Sequence, residues 1–143
     1  MSCHRSAQYL ALLIAVVLVG ASGAVLSEDI SGRQVYVDYC ASCHGANLEG
    51  QPNWKQRLPT GRLPAPPHDA TGHTWHHSDR QLFRIVKEGP AAMMPGYETD
   101  MPGFGAVLDD GEIAAVLDYI KSTWPERQRG VQAAKSASDP LQP

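Results

Sequence analysis

Apolar residues fall along this chain in blocks of different kinds, and each block predicts a different element. From Tyr9 to Val19 the run is unbroken and uncharged, with Arg5 before it and the small residues Ala21-Ser22-Gly23-Ala24 after it. That is the layout of a secretory signal, so residues 1–26 read as a leader. The competing reading is an N-terminal membrane anchor. Tyr9 to Leu26 is 18 residues without a charge, close to the length that spans a bilayer, although Gly20, Ser22 and Gly23 weaken its second half. Either way the following domain is exported, in a bacterium to the periplasm, free or tethered to the inner membrane.

After the leader the pattern turns helical. Val35, Tyr36 and Tyr39, with Ser31 able to cap, predict a short helix from Ser31 to Ala41 that runs into Cys40. From Gly45 to His77 no period survives, and Pro52, Pro59, Pro64, Pro66 and Pro67 interrupt any helix or ladder. A loop of that length is expected to wrap something. Ser78-Asp79-Arg80-Gln81 is a capping-box start; Leu82, Phe83, Ile85 and Val86 follow and Gly89-Pro90 closes the helix. Glycine and proline dominate again from Pro90 to Gly105. Asp109-Asp110-Gly111-Glu112 then opens the clearest helix, with Ile113, Val116, Leu117, Ile120 and Trp124 at 3.6-type spacing and Pro125 at its end. Residues 126–143 are polar and aperiodic and read as a disordered tail. No strand pattern emerges, so the expected class is all-α, with three main helices and long loops.

Composition narrows the functions open to such a chain. Of 143 residues, only 27–125 are left for a fold, which is one small domain and not a multidomain enzyme. A core of that size calls for a cofactor or cross-link. The formal net charge of −3 offers no basic face for nucleic acid. Of the three cysteines, Cys3 lies in the leader and Cys40 and Cys43 stand three apart, which excludes a multi-bridge disulfide scaffold.

Cys40-Ala41-Ser42-Cys43-His44 has the spacing of a c-type haem attachment site. Two cysteines one helical turn apart reach the two vinyl groups on one porphyrin edge and form thioethers, and His44 is then placed to put an imidazole nitrogen on the iron. Covalent attachment keeps haem in a domain too small to enclose it. The competing readings lack context: a thioredoxin-like pair wants a βαβ unit, a zinc site wants further thiols or paired histidines, and a disulfide across three helical residues is geometrically poor.

With these residues in view, the sequence resembles class I c-type cytochromes of the small bacterial monohaem kind, over about residues 31–125. Gly32 and Tyr36 stand eight and four residues before Cys40, where the family packs a glycine and an aromatic against its terminal helix. Tyr119 matches the aromatic which that helix brings to the contact. A glycine at such a crossing lets two helix backbones approach closely. The resemblance implies the cytochrome c fold around one covalently bound haem c.

For the second axial ligand, Met93-Met94-Pro95-Gly96-Tyr97 and Met101-Pro102-Gly103-Phe104 form a near-repeat. Met101 matches the family's MPxF pattern and its position shortly before the terminal helix, and Met94 is the alternative. The resemblance also implies a loop proline whose carbonyl accepts the ring N–H of the proximal histidine, with Pro66 and Pro67 as candidates. Trp54, Arg57, Arg62, Trp75 and Tyr97 are available donors for the haem propionates.

His/Met ligation through His44 and Met101 fills both axial positions and favours ferrous iron. The expected function is therefore single-electron carriage in a periplasmic respiratory or dehydrogenase-linked chain. The protein would be no enzyme, a monomer, with redox proteins (dehydrogenase, oxidase or another cytochrome) as partners and no nucleic acid. Two alternatives stand beside it. One is a haem sensor or peroxidase-like protein with a labile distal ligand; the other is a metal-handling protein using His68, His73, His76 and His77.

Overall fold

A computed structural model describes residues 31–139; the expected leader, residues 1–26, lies outside them. The described residues are all-helical, without strands. The first helical stretch is continuous but not uniform: α1 (Gly32–Val35), a single π turn (Tyr36–Cys40) and α2 (Ala41–His44) follow one another without a break. Ser31 caps it as expected, its Oγ accepting from the Gln34 N–H. No pattern of apolar residues predicts the π turn. It leaves the Ala41 N–H bonded to the Tyr36 carbonyl, five residues back, the kind of one-residue insertion that helices carry at functional positions.

α3 (Asp79–Glu88) and α5 (Asp110–Ser122) both begin with reciprocal capping boxes, Ser78 with Gln81 and Asp109 with Glu112. Between them, one turn of helix, α4 (Pro90–Met93), starts with proline at its first position, where the missing N–H costs nothing. α5 buries the face predicted for it, Ile113, Val116, Leu117 and Ile120, with Trp124 just beyond, against Val35, Tyr36, Leu48, Leu82 and Leu108.

The crossing of α1 on α5 depends on Gly32. A Cβ there would stand 1.9 Å from the Ala115 carbonyl oxygen and 3.1 Å from the Tyr119 Cβ, so only glycine permits this approach. The expected aromatic contact is present alongside it, with the Tyr36 and Tyr119 rings 5.5 Å apart.

The segment after residue 125 corrects the expectation of a disordered tail. Glu126–Ser138 form a helix, α6, which packs on a turn of 3-10 helix at Thr74–His76 and on the start of α3. Hydrophobic period does not reveal α6, because the side chains it turns inward are polar. Gln132 is buried, and its Nε2 donates to Asp79 Oδ1 at 3.0 Å and to the His77 carbonyl at 3.4 Å. Ser136 Oγ accepts from the Asp79 N–H at 2.9 Å, and Asp139 bonds Ser78 Oγ and pairs with Arg80.

Candidate haem attachment site

The helical stretch ends in the residues that matter. Cys40 closes the π turn, and Cys43 and His44 lie one helical turn further on. The end of α2 leaves carbonyls with no partner inside the helix, and the buried Tyr36 supplies one: its hydroxyl donates to the Gly45 carbonyl at 2.7 Å. One side chain thus ties the start of the π turn to the residue after His44. Burial is the main reason that the Tyr36 phenol titrates well above its ordinary range.

Cys40 and Cys43 are free thiols, the first partly buried and the second exposed. Burial, and secondarily Cys43, pushes the Cys40 thiol up to about 11. A dithiol redox pair needs a thiolate held below its ordinary pKa, so the environment runs against that alternative.

His44 is buried at 7% exposure, and its Nδ1 donates to the Pro66 carbonyl at 2.8 Å. Of the two loop prolines, Pro66 is the acceptor. A carbonyl can only accept, so Nδ1 carries the proton and the lone pair of the neutral ring resides on Nε2. Burial lowers the His44 pKa and outweighs the opposing Pro66 bond, which keeps the ring neutral and Nε2 free to ligate a metal.

The long loop brings Pro66 to this place. The Gly50 N–H donates to the His44 carbonyl at 2.7 Å, and the Gln51 N–H to the Ala65 carbonyl at 2.9 Å, which draws the strand of chain before Pro66 alongside the end of α2. Gly50 has φ +68°; a Cβ there would come within 2.6 Å of the Pro66 carbonyl carbon. Both the left-handed backbone and the close approach call for glycine.

The four loop histidines do not act as one cluster. His68 faces inward and stacks on His44, ring centroids 3.9 Å apart, while His73 stacks on Trp54 at 5.4 Å and meets His77 edge-on at 5.5 Å, and His76 lies against Trp75 at 3.7 Å. Among the described residues no group of three or more His, Cys, Asp or Glu side chains is placed to hold a metal ion. The metal-handling alternative therefore finds no assembled site.

The expected propionate donors separate in the same way. Arg57 is committed to the Gly61 carbonyl at 2.6 Å and Arg62 pairs with Asp100. Trp75 is different: its Nε1 is buried and has no partner among the described residues. A buried indole N–H without an acceptor costs free energy comparable to a lost hydrogen bond, and a carboxylate from a bound group would remove that cost. The free thiols, the oriented imidazole and this orphan donor together fit a covalently held haem.

Met101 is partly buried, and its N–H donates to Thr99 Oγ1 at 3.1 Å. The chain just after it is pinned to the end of α3, Phe104 N–H to the Val86 carbonyl at 2.9 Å and Gly105 N–H to the Lys87 carbonyl at 3.0 Å. Met94, at the end of α4, is 47% exposed.

An all-helical domain whose first helix presents two thiols and a metal-competent imidazole defines a c-type haem protein. The chain belongs to the cytochrome c family, which it matches over residues 30–124. Members of this family carry covalent haem c and are typically electron carriers rather than enzymes. Among curated proteins it is similar to the gluconate 2-dehydrogenase cytochrome c subunit of Pantoea cypripedii, with 28% identity over 116 residues, covering 76% of this chain. The chain spans only 23% of the length of that relative. No solved structure gives a significant match.

Proposed function

We propose that this chain is a monohaem c-type cytochrome that carries single electrons between redox proteins in the periplasm, as a monomer exported by residues 1–26. In this reading Cys40 and Cys43 would hold one haem c through two thioethers, and His44 and Met101 would be the two ligands of its iron. The observation that carries the reading is His44: a buried, neutral imidazole with Nδ1 committed to Pro66 and Nε2 left free, on the same helical stretch as two unpaired thiols. When bound, the haem supplies an iron that cycles between ferric and ferrous states by one electron.

The chain's own residues do the rest. Cys40 and Cys43 tether, so that a small domain keeps a group it does not fully enclose. The Pro66 carbonyl holds the His44 ring in one tautomer and makes it a better electron donor. Trp75 Nε1 offers a donor to a propionate. Met101 would supply a thioether as second ligand to such a haem, which would raise its potential and leave no site for oxygen or peroxide, favouring carriage over catalysis. Partial burial and the fastening of the following residues to α3 support Met101; the exposure of Met94 speaks against it. The name of the Pantoea cypripedii relative supports a dehydrogenase as the electron donor class, reached through a small, quickly exchanged interface.

No helix among the described residues is long and apolar enough to cross a membrane, so in this reading any tether is residues 1–26. The test is to mature the protein with haem and record the far-red absorption of the oxidised form, where methionine sulfur on ferric haem gives a weak charge-transfer band. The band is expected in the parent and in Met94→Ala and is lost in Met101→Ala. A high-spin parent spectrum without the band would instead give the lead to the sensor or peroxidase-like alternative.

A further inference from the structure

The ring of His68 lies over the face of His44, with centroids 3.9 Å apart and planes 22° from parallel. Three parts of the fold converge to hold it there. Its backbone N–H donates to the Leu48 carbonyl at 2.8 Å, and its carbonyl accepts from Trp124 Nε1 at 2.7 Å. Its Nδ1 is 2.8 Å from Thr74 Oγ1, and the Tyr36 ring meets it edge-on at 6.4 Å. The loop, the segment just after α5 and the 3-10 turn therefore fix one imidazole at its backbone and at a ring nitrogen.

The proximal ring has fewer constraints of its own. The one hydrogen bond of the His44 side chain is Nδ1–H to the Pro66 carbonyl. A single bond of that kind sets the tautomer and the pivot but lets the ring rock about the N···O line. A flat ring at stacking distance removes that freedom, because rocking would drive one edge of His44 into His68 and pull the other away from it.

We infer that His68 is a positioning residue that sets the plane of the His44 imidazole, through the flat shape of its ring and its anchorage to Thr74. The inference rests on the reading of His44 as the proximal haem ligand. Groups that orient a ligating histidine tune the metal it binds. The plane of a ligating imidazole governs how its π orbital meets the iron d orbitals. It is read directly in the g anisotropy of the ferric low-spin signal and in the spread of the haem methyl proton shifts.

Three variants of the haem-loaded protein test this. His68→Phe keeps a flat ring but has no nitrogen to bond Thr74 Oγ1, so it is expected to shift the g values and methyl proton pattern only slightly, by about as much as loss of that bond alone. His68→Leu keeps apolar bulk without a flat ring and is expected to change both while the far-red band persists. Thr74→Val frees the ring from its anchor and is expected to shift the pattern in the same direction as His68→Leu, by less. Parental spectra in His68→Leu, or a change in His68→Phe as large as in His68→Leu, would overturn the inference. Should His68→Leu fail to accumulate, the other two decide: small shifts in the same direction in His68→Phe and Thr74→Val uphold it, and parental spectra in either, or shifts in opposite directions, sink it. Failure of the underlying reading shows separately, since the parent would then lack a histidine-ligated low-spin spectrum before any variant is made.

Discussion

α5 and α6 are both thirteen residues long and are separated by only three residues, yet they are held to the protein by opposite means. α5 puts Ile113, Val116, Leu117 and Ile120 into the core, each contributing about 1.5–3 kcal/mol relative to exposure. α6 buries Gln132 alone, and its largest apolar side chain, Val131, is 42% exposed. What fastens it is a row of polar groups at helical spacing, Gln132, Ser136 and Asp139, bonded to Ser78, Asp79 and Arg80 at the start of α3. Apolar burial tolerates small shifts of a helix, whereas a set of hydrogen bonds requires each donor to meet its acceptor. The first kind of docking is written in hydrophobic period and the second is not.

The largest loss of stability is expected inside α5. Ile113→Ala removes a fully buried side chain and is expected to cost about 2–5 kcal/mol, read as a fall in the urea midpoint of the haem-loaded protein. Gly32→Ala attacks the same helix from the other side, pressing a methyl group onto the Ala115 carbonyl, and is expected to cost about 1–3 kcal/mol. An unchanged midpoint would mean that α1 and α5 separate without loss.

A smaller effect is expected on the polar side. Gln132→Ala removes donors to Asp79, His77 and Ser136 and is expected to cost about 1–2 kcal/mol. Hydrogen exchange is expected to show the loss in α6 amides first, with α5 protection unchanged; a global loss would show that the two helices unfold as one.

The smallest effect is the response to acid. Burial opposes ionisation of Asp79, but bonds from Lys121, Ser136 and Gln132 prevail and hold its carboxyl below the usual range. A carboxyl with a depressed folded pKa stabilises fully above its unfolded value, about 3.9, and that contribution is lost as pH falls through the folded value. α6 amides are therefore expected to lose exchange protection below about pH 4 while α5 amides keep theirs. Equal loss in both helices would refute a distinct polar docking of α6.

Much of the fold is legible in the residues because the signals are local. Ser78 with Gln81 and Asp109 with Glu112 are capping boxes within one helical turn, and Ile113 to Ile120 is a stripe on one helix. Gly32, Tyr36 and Tyr119 are legible by another route, the resemblance to class I c-type cytochromes, and the structure supplies the reason: only glycine permits the backbone approach that the aromatic pair flanks. The π turn at Tyr36–Cys40 carried no such signal, because one extra residue in a helix leaves composition and period almost unchanged. For α6, two local cues were available: good helix formers after Pro125, and polar residues recurring every three or four positions. Neither says that those polar residues have partners elsewhere.

The same division runs through the site. Cys40, Cys43 and His44 lie within five residues of one another, so their grouping follows from the chain order alone: one short helical stretch delivers all three groups, and no distant contact is needed to bring them together. The sequence also determines that the loop from Gly45 to His77 is not regular, through its prolines. Long-range packing alone selects the proline that bonds His44, turns His68 inward while His73 and His76 turn to tryptophans, and leaves Trp75 with a buried N–H that has no partner among the described residues. Each of these is a meeting of groups far apart in the chain. Such meetings depend on where the loop closes, which is set by backbone bonds from Gly50, Gln51 and His68 that no side-chain pattern encodes.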